Sequence, residues 1–266
     1  MVVPTRDSMR TIRRCLESIR SQDYPAIELI VVDNGSTDGT LQTAERYADL
    51  VISAGPERSV QRNIGIEKST GEYILWIDSD MILDPDCVSK AVEAIERDGA
   101  EAVFIREITV GEGYWTHCRA LERLCYLGEP LIESPRLVRK RFFEESGGFV
   151  HDVAGQEDAE LRMRLLRSGL PLTRSDGEIK HDEGRITLRG VVAKRVYYGR
   201  SIPNYARWQP GAVREQGIAT LRALWRGRGI LARDPLHAPG VLVLRAVEAV
   251  AYAWGARKAR KASHQG

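Results

Sequence analysis

The chain is poor in sulfur and aromatic rings, with four Cys, four Met, four Phe and 7% aromatic residues in 266. Cys15, Cys87, Cys118 and Cys125 form no CxxC pair and fall mostly within apolar helical patterns. That excludes a disulfide framework and a zinc site, and it points to buried thiols in a reducing compartment. No apolar stretch reaches the roughly 20 uncharged residues of a spanning helix, and Arg6, Asp7 and Arg10 interrupt any leader after Met1. A cleaved signal is therefore not expected, and the protein is expected to be cytoplasmic. Internal repeats and low-complexity segments are absent, and so is a nucleic-acid module with interleaved basic and aromatic residues, so no nucleic-acid partner is expected.

What is present is ample material for a core, 43% hydrophobic residues, and a charge that is unevenly spread. From Gly211 onward ten Lys/Arg face three Asp/Glu, an excess of +7; with a total of +2, residues 1–210 carry −5. A basic tail on an acidic body suits an anionic membrane surface.

Strand and helix patterns alternate. Residues 1–4 and 27–32 read as strands, separated by a helix with Ile12, Cys15, Leu16 and Ile19 on one face. A polar loop, Asp33-Asn34-Gly35-Ser36-Thr37-Asp38-Gly39-Thr40, follows, with Asp38 or Thr40 able to cap the next helix. A short strand over 50–52, a helix over 59–67, a buried strand over 73–77, a helix over 86–98 and a strand over 102–105 continue the series. This predicts an α/β fold with a parallel, doubly wound sheet and helices on both faces. Residues 111–134 read as a helical segment, and a helix over 159–167 turns Leu161, Leu165 and Leu166 inward.

The strand over 73–77 stops at Asp78-Ser79-Asp80. Two carboxylates one residue apart, at the sheet edge where ligands of open α/β folds bind, can hold a hard cation that neutralises phosphate oxygens. An Asp-rich turn is the structural alternative. Glu157 and Asp158 open a helix, where the positive end of the helix dipole also explains acids.

Taken in order, the 31–40 segment, Arg62-Asn63-Ile64-Gly65, Asp78-Ser79-Asp80, Gly147-Gly148-Phe149 and Gln156-Glu157-Asp158 resemble the motif series of family 2 glycosyltransferases with the GT-A fold. The resemblance covers about residues 1–205. It implies a GT-A, Rossmann-like, mostly parallel sheet, divided into a nucleotide-sugar half (about 1–110) and an acceptor half (about 111–205), with a helical, basic region over 206–266 appended. It also implies inverting transfer from a UDP- or GDP-linked sugar to a lipid-linked or saccharide acceptor, with Mn²⁺ or Mg²⁺ as cofactor. Pro4, Thr5, Arg6, Asp33, Arg62, Asp78 and Ser79 match the nucleotide-sugar contacts, and Asp80 and His181 the metal ligands. Asp158 matches the catalytic base, while Glu157 and Arg136 bind the acceptor or support the site. Departures exist: the first strand lacks several residues before Pro4-Thr5, Asp7 stands where Asn is common, and Asn204-Tyr205-Ala206-Arg207-Trp208 echoes a processive-synthase signature without its leading Gln. The rival readings are a nucleotidyltransferase, which would need a Gly-rich, Lys-bearing loop that residues 5–10 lack, and a non-catalytic sugar-nucleotide binding protein.

Residues 241–254 are apolar except for Arg245, Glu248 and Tyr252, which helical spacing puts on one stripe. Fourteen residues span about 21 Å, too short to cross a bilayer. The expectation is a helix lying in the membrane interface, Trp254 at the boundary and Arg257, Lys258, Arg260 and Lys261 against anionic headgroups, making the protein peripheral at the inner face of the cell membrane. The alternative is a packing or dimerisation helix, which leaves a homo-oligomer open.

Overall fold

The computed structural model describes residues 1–262; the last four residues of the expected C-terminal region, 263–266, lie outside the described residues. In chain order the elements are β1 (Val2–Thr5), α1 (Ile12–Arg20), β2 (Ile30–Asp33), α2 (Thr40–Tyr47), β3 (Leu50–Ser53), α3 (Arg58–Lys68), β4 (Tyr73–Leu75), β5 (Met81–Leu83), α4 (Cys87–Arg97) and β6 (Ala102–Val110). Then follow α5 (Tyr114–Tyr126), β7 (Pro135–Arg139), α6 (Lys140–Ser146), α7 (Glu157–Arg167), β8 (Leu172–Asp182), α8 (Leu188–Gly199), α9 (Ile202–Trp208), α10 (Ala212–Arg226), α11 (Arg228–Arg233) and α12 (Ala238–Ala262). Two compact units emerge, each assembled from three chain segments. Unit 1 comprises Met1–Glu107, Ser134–His151 and Arg164–Asp182, and unit 2 comprises Ile108–Glu133, Asp152–Met163 and Glu183–Gly266.

Unit 1 is the α/β part. Its strands β1, β2 and β3 pair in parallel, and the β1–β2 register sets Thr5 beside Asp33 at adjacent strand ends. A parallel bridge between Val2 and Trp76 carries the line of β4 past Leu75 and alongside β1. The second sheet runs β4-β7-β6-β8-β5. There the expectation of parallel pairing is corrected, because β4 with β7, β6 with β7 and β5 with β8 are antiparallel. Residues 74–77 are all buried, which is why this stretch reads as a continuous apolar run. Helix α1 buries Ile12, Cys15, Leu16 and Ile19 in one stripe, as its 3.6-residue spacing predicts. Asp38 accepts the Thr40 backbone N–H at 3.0 Å at the start of α2. The Gly147-Gly148-Phe149 turn is tied to α3, since Asn63 Nδ2 donates to Phe149 O and Phe149 N–H donates to Asn63 Oδ1, both at 2.8 Å. Gly148 has φ +75°, and a Cβ there would meet the Asn63 side chain at 2.8 Å, so the two motifs constrain each other.

Unit 2 is helical, with α12 packed along α8 and against α5. Here the C-terminal helix differs from the expectation in length and in facing. It covers 25 residues rather than fourteen, and its polar stripe turns inward. Glu248, fully buried, accepts from Arg195 Nε and Arg245 Nη1, each at 2.7 Å, and from Arg119. Burial alone would raise its pKa, but Arg119, Arg195 and Arg245 outweigh that and lower it to about 2. With Arg245 and Glu248 satisfied inside, the apolar residues Leu242, Val243, Val250 and Trp254 are left exposed. No helix among the described residues is long and apolar enough to cross a membrane.

The backbones of α8 and α12 touch at two glycines. A Cβ on Gly255 would fall 2.3 Å from Val196 O, and one on Gly199 2.5 Å from Tyr252 O. In an open helix Gly→Ala would stabilise by about 1 kcal/mol. Here Gly255→Ala forces two helices apart, and the expected result is a loss of about 1–3 kcal/mol in denaturant unfolding. A raised unfolding midpoint would show that the crossing tolerates a side chain.

Candidate active site

The carboxyl ends of the unit 1 strands gather its polar residues. Asp78, just past the buried Trp76-Ile77 pair, receives Arg62 Nη2 at 2.7 Å on one carboxylate oxygen and Arg58 Nη1 at 3.5 Å on the other. Burial would raise the Asp78 pKa, but Arg62 first and Arg58 next hold it well below the carboxylate range. Arg62 itself is fully buried, its guanidinium 5.2 Å from the Phe149 ring centroid. It sits beneath Asp78, whereas Arg58, one turn earlier on the helix, is the more exposed cation. Ser79 Oγ donates to Ser8 Oγ at 2.9 Å. At the neighbouring strand ends the Asp33 carboxylate accepts the Ser36 backbone N–H at 2.9 Å and the Ser36 hydroxyl, while Thr5 Oγ1 is buried without a hydrogen-bond partner. Pro4 is buried in β1, and Arg6 extends from the strand end with a mostly exposed side chain.

Asp80 and His181 meet because the antiparallel β5–β8 register pairs Met81 with His181. His181 Nε2 is 3.3 Å from Asp80 Oδ2, and His181 Nδ1 is 2.8 Å from Glu107 Oε1. Glu107 in turn accepts from Arg136 Nη2 at 2.9 Å. The two ring nitrogens of His181 are thus each set against a carboxylate, Nδ1 against Glu107 and Nε2 against Asp80. Asp80 Oδ1 is buried with no hydrogen-bond partner. An orphaned carboxylate oxygen beside an imidazole nitrogen is a donor pair that a divalent cation would satisfy, and a carboxylate supporting the histidine is the usual arrangement behind a metal-binding imidazole. Among the described residues no three His, Cys, Asp or Glu side chains form a ready-made metal cluster. Two protein donors suit a cation whose remaining ligands are water and substrate phosphate.

In unit 2, Glu157, Asp158 and Glu160 occupy the first turn of α7, where the helix dipole favours anions. Glu157 and Glu160 are buried, Glu160 accepting from Gln209 Nε2 at 2.9 Å, while Asp158 is partly exposed. The loop before α7 is held by α9 and the residue preceding it: Ser201 Oγ donates to Ala154 O at 2.8 Å, Asn204 Nδ2 to Asp152 O at 3.1 Å and Trp208 Nε1 to Asp152 Oδ1 at 2.9 Å. The Asn204-to-Trp208 segment, read from sequence as a faint signature, thus anchors this loop.

The family description "Glycosyl transferase family 2" matches residues 1–153, more than half of the chain. The chain belongs to glycosyltransferase family 2. Among its curated relatives, the poly(ribitol-phosphate) beta-N-acetylglucosaminyltransferase TarS of Staphylococcus aureus is 31% identical over 117 residues, 40% of this chain and 20% of TarS. Glycosyltransferase AglE of Haloferax volcanii is 25% identical over 190 residues, 65% of this chain and 62% of AglE. The chain therefore spans a fifth of the one and under two thirds of the other. Among solved structures it is similar to mannosyltransferase PcManGT from Pyrobaculum calidifontis in complex with GDP-Man and Mn²⁺, with TM-score 0.65, 21% identity and coverage of 97% of this chain and 85% of that one. It is also similar to S. aureus TarS 1–349 in complex with UDP-GlcNAc, with TM-score 0.55, 20% identity and coverage of 98% and 91%. These likenesses show the fold, and this family 2 chain has the GT-A fold.

Glu107 is the site residue that sequence reasoning missed. The β6 strand, expected to stop at 105, runs on to Val110, and a lone acid inside the extended strand was the available signal.

Proposed function

We propose that this family 2 chain transfers a sugar, with inversion, from a UDP- or GDP-linked donor to a lipid-linked or saccharide acceptor, and depends on a divalent metal. The observation that carries it is the Arg136–Glu107–His181–Asp80 chain ending on the orphaned Asp80 Oδ1. Asp80 and His181 would hold the cation, and the imidazole donor favours Mn²⁺ over Mg²⁺. When bound, the metal offsets charge on the departing nucleotide diphosphate. Pro4, Thr5, Arg6 and Asp33 bound the nucleoside in this reading, with Asp33 or the Thr5 hydroxyl available to a base or ribose. Arg62 acts by fixing Asp78 rather than by touching the donor, and the more exposed Arg58, which also reaches Asp78, is placed toward the diphosphate in this reading. Arg136 and Glu107 hold the imidazole by its Nδ1. Asp158 takes the proton from the acceptor hydroxyl as its oxygen attacks the anomeric carbon opposite the departing phosphate. Inversion in one displacement requires no protein nucleophile. The same proposal sets the enzyme at the inner face of the membrane, supported by the basic residues after 211.

Thermal unfolding with UDP- and GDP-sugars tests the donor and the metal together. A saturating donor should stabilise the chain in Mn²⁺, by about 2.7 kcal/mol at a hundred times its dissociation constant, and the gain should vanish in EDTA. No response to either nucleotide series, with or without Mn²⁺, would overturn the proposal.

A further inference from the structure

Within unit 1, helix α3 reaches the ends of β1 and β2 through Gln61, a side chain that the proposed function leaves unused. Gln61 is 3% exposed, so its amide must find its partners inside the protein. Its Nε2 donates to Val32 O at 2.6 Å and to Thr5 O at 3.0 Å. Two carbonyl acceptors on one atom settle which end of the amide this is, since only the NH2 end has hydrogens to give. The two carbonyls belong to neighbouring strands, at the rungs where Pro4 faces Val32 and Thr5 faces Asp33. Thr5 O also accepts the Asn34 backbone N–H at 2.9 Å, so Gln61 supplies the second bond to that oxygen. One buried amide thereby holds the peptide plane that leads from Thr5 to Arg6 and the one that leads from Val32 to Asp33.

Thr5 and Asp33 both have hydrogen-bonding capacity to spare. Thr5 Oγ1 is buried with no hydrogen-bond partner, and the Asp33 carboxylate takes the Ser36 backbone N–H on one oxygen and the Ser36 hydroxyl on the other. A carboxylate offers about four lone-pair positions, which leaves room for a further donor. Helix α3 has little freedom to shift and relax these contacts. A Cβ on Gly65, one turn on from Gln61, would fall 2.5 Å from Val2 Cγ1 and 3.2 Å from Val32 Cγ2, so the helix backbone lies directly on β1 and β2. The next two side chains along α3 go elsewhere, Arg62 to Asp78 and Asn63 to Phe149.

We propose that Gln61 is a positioning residue for the nucleoside of the donor: by tying Thr5 O to Val32 O it fixes the separation of the Thr5 hydroxyl and the Asp33 carboxylate, and with it the preference between a pyrimidine and a purine base. The proposal rests on the nucleotide-sugar reading above and adds to it the group that tunes the choice of base.

The test titrates the full chain calorimetrically, in Mn²⁺, with UDP, GDP and inorganic pyrophosphate. Gln61→Met nearly keeps the volume of the side chain and removes its donors. It should weaken the preferred nucleotide about tenfold, the effect of one or two lost hydrogen bonds, and shrink the ratio between UDP and GDP, while pyrophosphate binds as it does to the parent. Gln61→Glu is the second variant. Its ionised carboxylate has nothing to donate to the two carbonyls, and its protonated form donates to one of them. Nucleotide affinity relative to pyrophosphate should therefore recover in Gln61→Glu as pH falls, and stay level in the parent. Nucleotide affinities and a UDP-to-GDP ratio that match the parent, even in a variant with a lower melting midpoint, would assign Gln61 to the fold alone and overturn the proposal. So would equal losses of nucleotide and pyrophosphate, a failure of both variants to fold, or a parent that binds UDP and GDP equally. A parent that binds neither nucleotide sinks the nucleotide-sugar reading and this proposal together, whereas unchanged variants of a nucleotide-binding parent sink only the proposal.

Discussion

Asp158→Asn binds donor as the parent does and transfers sugar about two to four orders of magnitude more slowly, the range that one positioned general base supplies. The substitution keeps the size of the side chain and its ability to accept hydrogen bonds at the start of α7, but Asn does not take up a proton. The fold around it has independent support, because the buried Glu160 is held by Gln209, and the preceding loop is held by Ser201, Asn204 and Trp208. Binding and chemistry should therefore separate, with nucleotide affinity by calorimetry and the melting midpoint close to the parent values. If stability, affinity and rate fall together, Asp158 is a helix-start residue and the base lies elsewhere.

Asp80→Ala gives the opposite signature. Its affinity for nucleotide diphosphate in Mn²⁺ drops to the value measured in EDTA. Transfer falls by about three orders of magnitude or more, since metal stabilisation of a leaving diphosphate amounts to several kcal/mol at 1.4 kcal/mol per decade. The ligand-free protein should not lose stability, because the variant removes a buried carboxylate oxygen that has no hydrogen-bond partner. Unfolding without ligand, set beside nucleotide titrations with and without Mn²⁺, reads all three. Metal-dependent binding at the parent affinity would detach Asp80 from the cation.

The α/β architecture was legible because its signals are local. Fully buried strands read as unbroken apolar runs, and α1 and α4 announce themselves by apolar spacing. The Asp78-Ser79-Asp80 turn and His181 could be named from pattern, but what joins Asp80 to His181 is the antiparallel β5–β8 register, a pairing about a hundred residues apart that no local pattern encodes. Glu107 was invisible for the same reason, since it acts through a neighbour brought to it by the sheet. Arg62 read as a nucleotide-sugar contact, and only packing against Phe149 and Asp78 decides that it is buried. Periodicity put Arg245, Glu248 and Tyr252 of α12 on one stripe, but the same stripe serves a helix with its polar side to water or one whose polar side meets buried arginines. The sequence of that helix does not contain its partner, Arg119 on α5.

The division of each unit into three chain segments sets an order of events on the ribosome. Unit 1 lacks β8, which lies between β6 and β5, until residue 182 has emerged, although its first 107 residues were made long before. Unit 2 waits longer. Helix α5 is translated early with Arg119 and Glu122, and the carboxylate that shares Arg119 arrives only with Glu248, 129 residues after it. At the usual elongation rate of about 5–20 residues per second, some seconds pass in which α5 offers an amphipathic face and half of an ion network to its surroundings. The nascent chain is then most open to chaperone capture or to wrong pairing, and slow codons placed just before α12 would prolong that exposure.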